Sequence, residues 1–181
     1  MNTQQIGLLA LAAVLVFWTV GAYNRLVALR NAIAQAWAKV DEALRQRQAA
    51  AEPLLAALRE PLGAEQGALD AWLTAGTEAG RAAALMGSKP VVQAHALAWA
   101  AAEAAQAAAA SRVFALLEQQ SELRLQEPVA TQALAWRDAT KRLGFARQLF
   151  NETATPYNEA LRTFPTRLLV GFFRFGPAGR V

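Results

Sequence analysis

The sequence predicts an all-α protein in which an N-terminal transmembrane helix is continuous with a long antiparallel four-helix bundle. Three observations carry this expectation. The stretch Ile6–Tyr23, IGLLALAAVLVFWTVGAY, holds no charged residue. Beyond it, apolar residues recur every three and four positions over several long segments. The composition is Ala-rich and only 18% charged, and runs of β-branched residues are scarce outside the first stretch, which disfavours sheet. The expected division is an anchor over residues 1–22, a bundle over 23–164 and an apolar, basic tail over 165–181.

The first stretch has the length of a spanning helix, with Trp18 and Tyr23 as interfacial aromatics and Arg25 just beyond them. A cleaved signal peptide is the competing reading, since Val20-Gly21-Ala22 resembles a cleavage site; the leader MNTQQ, without a basic side chain, weighs against it. Arg25, Arg30 and Lys39 follow the span and none precedes it, so the N-terminus is expected outside and the bundle in the cytoplasm.

From Tyr23 a seam steps through Leu26, Arg30, Ile33, Trp37, Val40, Leu44, Arg47, Ala51, Leu54 and Leu58, a heptad-like pattern containing two arginines. Span and first bundle helix thus form one rod of about 80 Å, with a kink expected at Pro53. A second helix is expected over about 65–86, where Gly76 and Gly80 suggest close approach of two helix backbones. A third begins near Pro90 and runs to Ser121, and a link at SELRLQEP leads to a fourth over 129–163, bent near Pro156. Leu143, Ala146, Phe150, Thr153, Tyr157, Ala160 and Phe164 continue the three-four spacing there. Short connections favour an up-and-down order.

Trp37 reads as core, and Tyr157 as part of the packing seam. Each seam arginine either pairs with a carboxylate on a facing helix or another protomer, fixing register, or lies at the seam's edge and reaches water. The residues leave both open.

The chemistry of catalysis is missing. The chain has no cysteine and one histidine, His95, in an Ala-rich helix, and there is no Gly-rich phosphate loop or GxSxG or HExxH motif. No general-acid/base pair suggests itself; Asp41 and Glu42 are adjacent and point apart. The expectation is a protein that is not an enzyme and needs no metal or other cofactor.

From Lys141 onward the chain carries Lys141, Arg142, Arg147, Arg162, Arg167, Arg174 and Arg180 against Glu152 and Glu159. The same end holds Phe164, Pro165, Leu168, Leu169, Phe172, Phe173 and Phe175. Nucleic acid fits poorly, because these aromatics lie among Leu and Val rather than polar groups suited to base stacking. Three destinations remain for the tail: the bilayer interface, with Arg167 and Arg174 at headgroups and Leu168, Leu169, Phe172 and Phe173 in the apolar layer; the chain's own bundle; or a neighbouring protomer.

The two ends together resemble the LemA family of bacterial membrane proteins. The resemblance rests on Tyr23-Asn24, Leu26, Leu29-Arg30, Ala36-Trp37, Asp41, Leu44 and Arg47, and on Arg142, Ala146-Arg147, Asn151, Tyr157-Asn158, Phe164-Pro165, Gly171 and Phe175. The sequence departs from the family pattern at QAAAEPLLAAL (residues 48–58), where the proline is shifted by one, and in its Ala-rich middle helices. The resemblance implies a helical bundle on a single N-terminal span in the bacterial inner membrane, with no established enzymatic activity. The expected partners are the lipid bilayer and further copies of the chain, with a protein partner also in view and nucleic acid excluded. The function expected is a self-associating membrane-anchored scaffold; the alternative is a tethered sensor or adaptor whose bundle binds a ligand or signalling partner.

Overall fold

The structure, a computed structural model, describes residues 2–164 and 166–181. Pro165, expected to serve the tail's interactions, lies outside the described residues. All regular structure among them is helical: α1 (Thr3–Arg59), a 3-10 turn (Gly63–Glu65), α2 (Gln66–Ser88), α3 (Gln93–Gln119), α4 (Ser121–Leu125), α5 (Glu127–Arg162) and α6 (Arg167–Phe173).

The rod is continuous. α1 spans 57 residues, about 86 Å at the α-helical rise, and continues through Pro53, as α5 continues through Pro156. Its first part is long and apolar enough to cross a membrane and is entirely unburied; Phe17 is 78% exposed. Burial starts at Leu26 and follows the seam through Ile33, Trp37, Val40, Leu44, Arg47, Ala51, Leu54 and Leu58. Tyr23 and Arg30, the seam's first two charged or polar members, remain exposed.

Packing fixes the helix directions. Trp37 meets Trp99 of α3 and Phe150 of α5, with ring centroids 5.2 and 5.8 Å away, and lies beside Gly87 of α2. Ten residues further along α1, Arg47 reaches Glu103 of α3 and Trp136 of α5, and Gln48 reaches Gly76 of α2. Positions on α3 therefore rise with those on α1, while positions on α2 and α5 fall. The up-and-down order follows, with α1 packed mainly on α5 and α2 on α3.

Three local details differ from the sequence expectation. α3 starts at Gln93, because Lys89 to Val92 form a turn in which the Val92 N–H donates to the Lys89 carbonyl at 3.1 Å. The link after α3 contains α4, whose Leu123 is buried and closes the distal core. Phe164 leaves the three-four series and is 75% exposed, because α5 stops at Arg162 and Thr163 turns extended; Phe164 itself precedes a proline in the sequence, and such a residue disfavours the helical region.

Candidate functional site

A charged layer divides the core. Arg47 is buried, and its Nη1 donates to Glu103 Oε1 while its Nη2 donates to Glu103 Oε2 at 2.7 Å and to Gln106 Oε1 at 2.6 Å. Its guanidinium also stands 5.2 Å from the centroid of the Trp136 ring. Below this layer lies a cluster around Trp37, Trp99 and Phe150, and above it one around Trp72, Val113 and Trp136. A planar guanidinium meeting a carboxylate through two parallel bonds fixes both rotation and height, so the pair sets the register of α1 against α3. Of the two outcomes open for Arg47, the structure shows the facing carboxylate. Arg30 is exposed and makes no ion pair among the described residues.

Glu103 and Gln106 did not stand out as site residues, although a signal existed. In AWAAAEAAQAAAAS they are the only polar side chains between Trp99 and Ser111, and their three-residue spacing puts them on one helix face. A lone charge in an alanine helix reads as solvated unless the partner helix is known.

Beside the layer, α1 and α2 enclose a cleft of about 340 Å³ whose lining includes Gln48, Glu52, Leu55, Trp72, Gly76 and Gln106. Here the glycines have a role other than joining helix backbones. A Cβ at Gly76 would stand 3.1 Å from Gln106 Nε2, and one at Gly80 would stand 3.1 Å from Gln48 Nε2. They make room for two glutamine side chains. Gln106 Oε1 is taken by Arg47, leaving its Nε2 facing Gly76, and the buried Trp72 Nε1 has no acceptor among the described residues.

The second assembly of residues lies at the other end of the core, where α1 emerges. Tyr23 packs on Phe173 and Phe175, with centroids 4.9 and 6.1 Å away, so α6 sits beside the exit of the apolar stretch. After α6 the chain returns along α5. The Tyr157 hydroxyl donates to the Gly176 carbonyl at 2.9 Å. Asn158 accepts from the Ala178 N–H at 2.8 Å and donates to the Ala178 carbonyl at 3.0 Å. Asn151 does the same for Val181, at 2.9 and 2.7 Å.

The register is geometrically matched: three extended residues span about 10 Å, as do the seven helical residues separating the two asparagines, at about 10.5 Å. Gly179 fits against α3, where an added Cβ would lie 2.5 Å from Ala96 Cβ and 3.1 Å from Gln93 Cα. Burial pushes the Tyr157 phenol above its ordinary value, with Arg30 opposing.

The tail thus divides between destinations. Residues 176–181 dock on their own bundle, whereas Leu168 and Phe172 are 66% and 83% exposed. Arg167, Phe173 and Arg174 are exposed too, and Trp18 and Arg25 are half-buried and exposed. Leu169, expected in the bilayer layer on one reading, is instead buried, on the short helix that packs on α5 and sets the neighbouring Val170 against the core. Phe175 is half-buried beside Tyr23 for a related reason: Arg174 adopts a left-handed conformation (φ 53°) that ends α6 and turns the chain inward.

Among the described residues no three His, Cys, Asp or Glu side chains gather as metal ligands. The fold and these two assemblies define an all-helical bundle carried on an apolar N-terminal helix, with a charged layer in its core. The chain belongs to the LemA family, whose model matches residues 36–180. A search of curated proteins finds no match.

Proposed function

We propose that the protein is a non-enzymatic helical scaffold, anchored by α1 in the bacterial inner membrane, that self-associates and so organises or remodels that membrane. The observation that carries this reading is the outer face of α3. Ala94, Leu97, Ala98, Ala101, Ala104, Ala105 and Ala108 are all exposed, and between Lys89 and Arg112 the sole charged residue, Glu103, points inward. A solvated helix face ordinarily carries charge; one built of alanine suits a second helix at close range. The exposed stretch of α1 supports the anchoring. Nucleic acid has no part in this reading.

The test is the mass of the full-length chain in mild detergent beside the Ala101→Glu/Ala108→Glu variant. Both positions are exposed, so the bundle itself tolerates the change. A discrete oligomer reduced to monomer by the substitutions supports the scaffold. Monomer in both samples overturns it.

The α1/α2 cleft favours a second reading, a tethered sensor or adaptor. Its lining includes Gln106, which holds Arg47, so an occupant would touch the layer that sets helix register. A stoichiometric small-molecule complex lost on Gly76→Leu would favour this reading over the scaffold.

A further inference from the structure

We infer that α6 is a second membrane contact, a foot that rests on anionic lipid headgroups beside the anchor and fixes the bundle's stance on the bilayer. The inference rests on the anchoring of α1 proposed above and adds the surface, the lipid class and the residues. On α6, Leu168 and Phe172 lie one turn apart and are 66% and 83% exposed, Phe164 just before the helix is 75% exposed, and Leu169 is buried. The foot is held at the level of the anchor's exit by Phe173 against Tyr23. It is strapped there by the docked residues 176–181.

Charge selects the occupant. Arg25, Lys89, Arg162, Arg167 and Arg174 are exposed at this end, and Glu159 is the only Asp or Glu in residues 23–40 and 153–181. An apolar face ringed by arginines fits an interface of acyl chains and anionic headgroups. A second copy of the chain is the rival occupant. The exposed carboxylates Glu60, Glu65, Asp70 and Glu122 stand at the distal end of the bundle, about 50 Å along α1 from Leu26, and Glu118 there is paired with Arg124 and Arg137 of its own chain. A copy anchored in the same bilayer cannot bring them to the foot.

The chain has no native cysteine, so single spin labels can be placed on the full-length protein in lipid nanodiscs. Labels go at Val14→Cys in the anchor, Phe172→Cys in the foot and Leu125→Cys at the distal end, all exposed positions. In bilayers containing phosphatidylglycerol, the Val14 and Phe172 labels should be reached by oxygen and shielded from a water-soluble nickel complex, and the Leu125 label should be open to nickel. Replacing Arg167 and Arg174 by Gln, or using phosphatidylcholine alone, should move the Phe172 label toward nickel and leave Val14 unchanged. Several results overturn the inference while the anchor stands: a Phe172 label as open to nickel as Leu125, one shielded from both reagents as by a protein, or one equally immersed in both lipids. A Val14 label open to nickel overturns the anchoring itself.

Discussion

Arg47 and Glu103 show how much a single pair governs in this bundle. Removing one partner of a buried ion pair leaves the other uncompensated, at a cost of about 3–5 kcal/mol, so Glu103→Ala should lower unfolding stability by that amount. Replacing both by apolar residues of similar volume, Arg47→Met with Glu103→Leu, should recover most of it, as followed by chemical denaturation in detergent. Tyr157 gives a pH signature. Its folded phenol value lies above the ordinary value near 10, so the folded state binds the proton more tightly than the unfolded one. Its contribution is present in full below about pH 10 and is lost as pH rises through the raised value. Tail docking should weaken over that alkaline range, and Tyr157→Phe should remove the pH dependence, both measured by hydrogen exchange of the Ala178 and Val181 amides.

Asn151 and Asn158 give the α5 element a function that its helical pattern does not display. Each reads one tail residue through both its N–H and its carbonyl, and a neutral hydrogen bond contributes about 0.5–1.5 kcal/mol. Asn151→Ala with Asn158→Ala should therefore release residues 176–181 and make the Ala178 and Val181 amides exchange at least tenfold faster, with global stability changed far less. The long helices were legible because a three-four spacing of apolar residues reports a buried face directly. Leu26 to Leu58 on α1 and Leu143 to Ala160 on α5 behave as that spacing says. The strap was not legible, since asparagines that bind backbone impose no side-chain pattern on the segment they bind. α6 was hidden for a different reason: seven residues interrupted by a glycine, RLLVGFF, are too short for a period to emerge.

At the scale of the whole molecule, charge runs along the long axis: arginines gather where α1 emerges, and carboxylates such as Glu60, Glu65, Asp70 and Glu122 gather at the far end. Arg25 and Arg30 follow the apolar stretch in sequence, and the fold sets the exposed Arg162, Arg167 and Arg174 at the same end of the bundle. The charged core layer was half legible: Arg47 stood out on its seam, whereas its partner across the bundle depended on helix heights that no single segment encodes. We propose that the basic end faces the membrane from the cytoplasm. This is tested most directly by labelling single cysteines in spheroplasts with a membrane-impermeant maleimide, at Asn2→Cys and at Leu125→Cys. Asn2→Cys should react in intact spheroplasts, and Leu125→Cys only after the membrane is opened. Reaction of Leu125→Cys from outside, with Asn2→Cys protected, would contradict it.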